Sequence, residues 1–360
     1  MVALARMRSS NSEVATALPP GLVAVFAGAT SGIGESSLKR FAKATVKPRI
    51  YFFGRSKESG NRVVAELQKL NPEGEYIFIS ADLSLLRSVD DVCRGIKAKE
   101  SAINLLFLST GTMVSGKDTE EGLYFPTAVA IFSRLRFIVN LLPLLQNATG
   151  LRRVVSVFAG TKEGPVVATD DVQGRHLQML SLRGRGHFSA VMTLALEAVA
   201  QRLGNSENRN SNHTVSFIHV YPGFVKTNLG SDVRGVGPAI LRAVYNALLS
   251  LIGPWLAVPM EETGERHLFL ATSARCRPAR EEGGVATAAA DGVPLPEGVE
   301  VARGTDGKIG SGIYSVAYDG ECASTRVEQL LAGWRKDGTA QKVWAHFEEE
   351  FVRITGVVSI

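Results

Sequence analysis

Cysteine is scarce in this chain, and the few cysteines lie far from one another in the sequence. The three cysteines, Cys93, Cys276 and Cys322, form no CxxC pair and have no spacing typical of metal ligands. A disulfide-stapled fold therefore has no support, and reduced thiols of a cytoplasmic protein are the better interpretation. The histidines and acids show no metal-ligand spacing either, so we expect no metal site.

Charge of one sign is not concentrated anywhere along the sequence. Lys and Arg number 40 against 35 Asp and Glu, and they are spread through the chain. This distribution gives nucleic-acid binding little support. A charged fraction of 21% and a hydrophobic fraction of 45% predict a folded chain with a large buried core.

Long uninterrupted hydrophobic runs are missing as well. Residues 1–20 contain polar and acidic positions, which predicts a flexible N-terminal arm rather than a signal peptide. The most apolar stretch, 236–258, is interrupted by Arg242, Asn246 and Pro254. We therefore predict that it covers a substrate or packs on the domain and does not span a membrane.

Short apolar, β-branched runs alternate with helical patterns through most of the chain. The predicted strands are Leu22–Ala27, Arg49–Phe53, Tyr76–Ser80, Asn104–Leu108, Arg153–Phe158, Val215–Val220 and Gly312–Val316. The predicted helices are Gly34–Ala44, Lys57–Leu70, Leu86–Ala98, Phe125–Leu145, Phe188–Leu203 and Gln341–Phe351. Such alternation predicts an α/β fold with a Rossmann-like, doubly wound parallel sheet of about seven strands.

The composition predicts a single domain with an extended C-terminal part. Residues 21–275 carry the strand–helix alternation, and 228–260 within them form the predicted substrate lid. The Gly-, Pro- and Ala-rich residues 276–310 predict a surface loop insertion. Residues 311–360 then supply the last strand and a closing helix of the same domain.

The most informative stretch is the glycine-rich turn after the first predicted strand. Its members are Gly28, Ala29, Thr30, Ser31, Gly32, Ile33 and Gly34. Glycines let the backbone approach a pyrophosphate closely, and a following helix N-terminus faces its negative charge. The turn therefore predicts a dinucleotide-binding site.

The ends of the next two predicted strands refine the ligand. Arg55 follows the second strand, where an acidic residue would bind the ribose 2′-hydroxyl of NAD. An arginine pairs instead with a 2′-phosphate, so Arg55 favours NADP(H). Asp82 follows the third strand, where it can bond the adenine amino group or cap a helix, and both roles stay open.

Together these motifs resemble those of the short-chain dehydrogenase/reductase family over about residues 20–275. The glycine turn matches the family's TGxxxGxG loop, with Ala27 in place of the threonine, and Asp82-Leu83 matches its adenine-contact motif. The segment after the sixth strand matches the family's PG-x-V-x-T motif, which implies a position under the nicotinamide for Pro222, Gly223, Val225 and Thr227. Two sequence segments, RVVSVFAGTKEG and SFIHVYPGFVKTNL, are in addition similar to those of fungal family members that are encoded beside secondary-metabolite pathways.

Tyrosine is missing where the resemblance implies a catalytic one. The family's YxxxK pair aligns with His187 and Val191, and no tyrosine occurs between residues 158 and 220. A general acid of this kind contributes roughly 10²–10⁴-fold to a rate. His187 is the leading replacement because imidazole exchanges protons near neutral pH, and a helix-capping or surface role for it stays open.

The other catalytic positions of the family are replaced too. The family's serine falls on Ala159 or Val157, with Ser156 one residue away, and its asparagine falls near Ala130. The side chains that could assist proton transfer are Ser156, Lys162 and Tyr221.

Three functions remain in view. The first is an NADP(H)-dependent oxidoreductase with a rebuilt proton donor, acting on a lipophilic polyketide or terpenoid intermediate. The second is a non-redox enzyme of the same fold, such as an isomerase or cyclase, and the third is a catalytically inactive NADP-binding or scaffold protein. The lipophilic substrate follows from apolar lid positions at helical spacing, namely Leu241, Val244, Tyr245, Leu248, Leu251, Ile252 and Trp255. Whether the chain forms a homo-oligomer stays open.

Overall fold

A seven-stranded parallel sheet forms the centre of the molecule. The computed structural model describes residues 1–178, 181–205, 214–227, 229, 257–280 and 288–360. The strands are β1 (Val23–Ala27), β2 (Arg49–Gly54), β3 (Glu75–Ser80), β4 (Leu105–Leu108), β5 (Arg153–Val157), β6 (Ser216–Tyr221) and β7 (Ile313–Ala317). Their order is β3-β2-β1-β4-β5-β6-β7. The doubly wound fold is confirmed, and every strand boundary lies within one residue of its prediction.

Helices cover both faces of this sheet. Those in the described residues are α1 (Leu4–Ser12), α2 (Val14–Ala17), α3 (Gly32–Ala44), α4 (Lys57–Leu70), α5 (Leu86–Lys97), α6 (Phe125–Thr127), α7 (Ser133–Asn147), α8 (Leu182–Asn205), α9 (Met260–Thr272), α10 (Ala288–Asp291), α11 (Thr325–Lys336) and α12 (Thr339–Thr355). Adjacent strand residues point to opposite faces, so Phe52 joins the core under α3, α4 and α9, whereas Phe53 joins the core under α5, α7, α8 and α12.

The N-terminal segment differs from the flexible arm that its polar sequence predicts. Residues 4–12 form α1, in which Met7 and Asn11 are buried against α9. The side-chain amide of Asn11 donates to the carbonyl and carboxylate oxygens of Glu265, at 2.9 and 2.7 Å. The prediction missed this because α9, the surface that α1 covers, was not itself predicted.

The helical segment Phe125–Asn147 runs through the core. Among the described residues it is the helix long and apolar enough to cross a membrane by length and composition, and 78% of its apolar window is buried inside the protein. Such burial is typical of a core helix. Its second part, Ala128–Phe132, is π-helical, and a π turn changes the direction of the side chains that follow it.

The C-terminal helices α11 and α12 pack onto the core on one face of the sheet. Phe347 of α12 packs on Phe132 with ring centroids 4.8 Å apart, as expected for a closing helix. The loop segment before β7 is less superficial than predicted, because Val293 and Ala302 are buried in the core. The predicted lid 228–260, with its apolar positions, lies mostly outside the described residues.

Candidate functional site

The glycine-rich turn joins β1 to α3 at the carboxyl edge of the sheet. Gly28 and Gly32 have φ angles of +80° and +59°, in the left-handed region that favours glycine. A Cβ on Gly34 would lie only 2.3 Å from the carbonyl oxygen of Gly28. The turn therefore leaves no room for a side chain at Gly28 or at Gly34, where backbone packs closely on backbone.

The N-terminus of α3 opens onto this turn. Its N-cap, Ser31, makes no side-chain capping bond, so that side chain does not occupy the N–H groups of the first turn. Thr30 and Ile33 flank the turn and are half-buried. Unfilled N–H groups and the helix dipole suit a phosphate, so the residues present fit a dinucleotide pyrophosphate.

The end of β2 reaches the glycine turn. A Cβ on Gly54 would lie 2.5 Å from the side chain of Thr30, and the next residue, Arg55, is exposed beside it. A second guanidinium, missed in the sequence, comes from α4: Arg62 donates to the carbonyl of Thr30 at 3.2 Å and to Glu35 at 2.8 Å. Burial disfavours a charged Glu35, but hydrogen bonds from Arg62 and a neighbouring lysine outweigh it and lower its pKa.

Asp82 does not cap the helix that follows it. Its carboxylate accepts the N–H of Ser84 at 2.9 Å and is exposed, while Leu83 is buried. The start of α5 is satisfied by Glu121, which accepts the N–H of Leu86 at 2.6 Å. Of the two roles left open by the sequence, the structure therefore gives the helix cap to Glu121.

The PG segment borders the glycine turn from the other side. A Cβ on Gly32 would lie 3.5 Å from the side chain of Thr227. Pro222 and Val225 are half-buried, and Gly223 has a φ of +78° with an aromatic ring packed where its side chain would be. The two predicted cofactor segments thus meet at one edge of the sheet.

His187 lies close to the start of α8, buried in the protein. The backbone N–H of Ala168 lies 3.2 Å from its Nδ1 and donates to it, and its Nε2 lies 3.1 Å from the carbonyl oxygen of Val172 and donates to that oxygen. Burial lowers its pKa, which favours a neutral ring. Both nitrogens therefore serve backbone partners, and the catalytic role of His187 stays a prediction that this geometry does not support.

Ser156 is buried on β5 and binds an arginine that the sequence did not single out. Arg134 of α7 donates to the hydroxyl of Ser156 at 2.8 Å, to the carbonyl of Val157 at 2.9 Å and to the carbonyl of Thr110 at 2.5 Å. Arg134 is the second residue of α7, which follows the π-helical turn Ala128–Phe132 directly. Ser156 thus positions a cation, and a direct catalytic role for it stays a prediction.

A buried carboxyl group lies beside β6 and β7. Glu163 accepts hydrogen bonds from the hydroxyls of Thr193 at 2.7 Å and Ser315 at 2.6 Å. His219 extends the network, since its Nδ1 is 2.8 Å from Thr193 and its Nε2 accepts the N–H of Ala159 at 3.1 Å. The second carboxyl oxygen of Glu163 is buried without a partner, and burial raises the pKa of this acid.

A tyrosine and a lysine meet at the end of β6. The amine of Lys162 lies 4.7 Å from the ring centroid of Tyr221, the residue directly before Pro222. Lys162 is exposed and Tyr221 is half-buried, in contrast to the closed surroundings of His187 and Ser156. Of the side chains that could assist proton transfer, this pair is the one open to a ligand.

The fold and the site define a doubly wound α/β protein with the glycine-rich turn that is typical of dinucleotide-binding folds. A family model described as short chain dehydrogenase matches residues 22–176. Oxidoreductase andH of Emericella variicolor is 36% identical over 358 residues, covering 99% of this chain and 98% of the relative. Oxidoreductase AN1596 of Emericella nidulans is 37% identical over 350 residues, covering 97% of each chain. The chain belongs to the short-chain dehydrogenase/reductase family.

Solved structures agree in fold. The Pseudomonas aeruginosa RhlG/NADP active-site complex superimposes with a TM-score of 0.51 at 17% identity, covering 78% of this chain and 97% of that one. L-Sorbose reductase from Gluconobacter frateurii, in complex with NADPH and L-sorbose, gives a TM-score of 0.50 at 16% identity, with 71% and 91% covered. At these sequence identities, the similarity shows a shared fold only.

Proposed function

We propose that this protein is an NADP(H)-dependent oxidoreductase acting on a lipophilic polyketide or terpenoid intermediate of fungal secondary metabolism. The observation that carries the proposal is the glycine turn, which has no room for a side chain at Gly28 or Gly34 and which touches the strand end that bears Arg55. Full-length fungal relatives named oxidoreductases support it. Proteins of the same fold with NADP or NADPH support the class of cofactor.

Each part of the cofactor has residues suited to it. A nicotinamide cofactor supplies or accepts a hydride when bound. The turn from Gly28 to Gly34 and the N-terminus of α3 would hold the pyrophosphate, and Arg55 would pair with the 2′-phosphate. Asp82 and Leu83 would contact the adenine. The residues that would hold the nicotinamide are Pro222, Gly223, Val225 and Thr227.

Tyr221 is our candidate for the group that exchanges a proton with the substrate oxygen. Its ring borders the PG segment, and the Lys162 cation over the ring would stabilise negative charge on the phenol oxygen. The apolar composition of residues 228–260 supports a lipophilic substrate next to this pair.

Nucleotide titration tests the cofactor assignment. We expect NADPH to bind the purified protein more tightly than NADH, measured by fluorescence. Arg55→Asp should weaken NADPH binding by roughly 10–100-fold, because it replaces a charge-assisted contact with repulsion. Arg326→Asp, the same charge reversal at an exposed residue of α11, is the matched control and should leave both affinities unchanged.

Other results would redirect the proposal. If neither nucleotide binds, the oxidoreductase assignment is wrong and a scaffold is favoured. If NADPH binds but hydrophobic ketones, aldehydes and alcohols are rearranged without a change in NADPH absorbance, a non-redox enzyme is favoured.

A further inference from the structure

Arg134 is a fully buried cation that lacks a counter-charge. Its partners are the hydroxyl of Ser156 and the carbonyls of Val157 and Thr110, and its Nε is buried without a partner. Within the part of the chain that the structure describes, no carboxylate lies in ion-pair distance of it. Arg136, two residues on and equally buried, is by contrast bound at both ends of its fork by Asp90, at 2.6 and 2.7 Å.

The Arg134 guanidinium carries its charge into the core. Burial lowers its pKa to about 9, which still leaves it protonated at neutral pH. The guanidinium carbon of Arg134 lies 5.3 Å from the ring centroid of Phe158. Burial, together with the charge of Arg134, lowers the pKa of His219 to about 3. A positive field therefore extends through this corner of the sheet without local neutralisation.

The cation is bonded to residues at the ends of β4 and β5, the two strands that lie between β1, which leads into the glycine turn, and β6, which leads into the PG segment. Thr110 touches the glycine turn, since a Cβ on Gly28 would lie 2.7 Å from its nitrogen. Val157 pairs with Val220 of β6, two residues before Pro222. Arg134 is thus bonded to one residue that touches the glycine turn and to one residue paired with the strand that leads into the PG segment.

We propose that Arg134 is a positioning residue that makes this site bind reduced nicotinamide cofactor in preference to oxidised. The proposal rests on the proposed function only in requiring that a nicotinamide nucleotide binds here. The oxidised ring carries a positive charge and the reduced ring is neutral, while the phosphates are identical. Repulsion from a buried cation therefore acts on one redox form alone.

The size of the effect follows from simple electrostatics. Unit charges roughly 10 Å apart at an effective dielectric constant of about 20 change an equilibrium constant by roughly tenfold. By thermodynamic linkage, a tenfold preference for the reduced form raises the two-electron potential of the bound cofactor by about 30 mV. Bound oxidised cofactor then takes a hydride from a substrate alcohol more readily than it does in water.

Titrations of four proteins with four nucleotides test the proposal. Dissociation constants for NADPH and NADP⁺, and for NADH and NAD⁺, are measured by calorimetry on the wild type and on Arg134→Gln, Arg134→Lys and Arg153→Gln. The wild type should bind the reduced forms roughly tenfold more tightly, at low and at 0.5 M salt alike, because a buried charge is weakly screened. Arg134→Gln should bring the two affinities together, and Arg134→Lys should keep most of the preference.

Arg153→Gln is the matched control. Arg153 is also fully buried and bonded to carbonyls, but it lies at the opposite end of β5. Its loss should affect stability without changing the ratio of affinities. Equal affinities of the wild type for both redox forms would overturn the proposal even if Arg134→Gln does not fold, and so would an unchanged ratio in Arg134→Gln. If the wild type binds no nicotinamide nucleotide, the proposed function itself is wrong.

Discussion

The two halves of the carboxyl edge use different means to build a site. Around β1 to β3 the site consists mainly of backbone, with left-handed glycines and a helix whose N-cap residue, Ser31, makes no side-chain capping bond. Around β4 to β6 it consists of side chains, including Arg134, Glu163 and His219, that are buried and hydrogen-bonded to one another or to strand ends. Backbone sites constrain the sequence through small residues, whereas side-chain sites can be rebuilt with other chemistry on the same fold.

The second half contains buried polar atoms that lower the stability of the folded protein. Buried polar groups without partners cost free energy, and this corner contains the Arg134 Nε and one oxygen of Glu163 in that condition. The buried Asp90–Arg136 pair away from the edge is fully matched. Unmatched groups next to a ligand site are consistent with a functional rather than a stabilising role.

The largest expected effect breaks the backbone half. Gly34→Ala places a Cβ 2.3 Å from the carbonyl oxygen of Gly28, so we expect loss of measurable NADPH binding. We also expect the free energy of unfolding to fall by about 1–3 kcal/mol, as is typical of overpacking. Fluorescence titration and urea unfolding measure the two quantities.

Gly95→Ala is the matched control for this change. Gly95 also lies in a helix, and a Cβ there meets no atom within 4 Å. The substitution should raise stability by roughly 0.5–1 kcal/mol through helix propensity and leave binding unchanged. Undiminished NADPH binding by Gly34→Ala would remove the backbone cradle as the cofactor site.

The next effect tests the side-chain half. Tyr221→Phe should lower kcat by roughly 10²-fold or more while the affinity for NADPH stays unchanged, because only the proton-exchanging oxygen is removed. NADPH absorbance measures turnover, and Tyr76→Phe, which loses a hydroxyl bonded to Asn71 on another part of the protein, is the control. If His187→Phe loses turnover and Tyr221→Phe does not, the proton donor is His187 and our assignment is wrong.

The same contrast explains what the sequence could predict. The strand boundaries were predicted to within one residue, and the glycine turn was predicted between β1 and α3, because both follow from local patterns of apolar residues and glycine. The contacts of Arg134 and Glu163 could not be predicted, because they join segments that are distant in sequence: α7 with β5, and residue 163 with α8 and β7. His187 illustrates the error this invites, since alignment to a motif gave its position but not its backbone partners.

The smallest expected effect is on the pH dependence of stability, for which we compare one acid from each half, Glu163 and Glu35. The pKa of Glu163 is raised by burial, so the folded protein holds this proton more tightly than the unfolded chain. The stabilisation that comes from the protonated Glu163 is complete below pH 4.5, the ordinary pKa of a glutamate, and is lost as the pH rises through the raised pKa. Glu163→Gln should remove this loss of stability. The slope of the free energy of unfolding against pH should then change by at most about 1.4 kcal/mol per pH unit.

Glu35→Gln should show the opposite sign. The pKa of Glu35 is lowered, because its bonds to Arg62 and Lys39 outweigh its burial, so its contribution is present above 4.5 and lost as the pH falls below it. The Glu35→Gln variant should therefore be less stable than the wild type at neutral pH and approach it in acid. Urea unfolding from pH 4 to 9 measures both variants. Parallel curves for Glu163→Gln and the wild type would mean that Glu163 is ionised in its network, and that the two halves hold their acids in the same state.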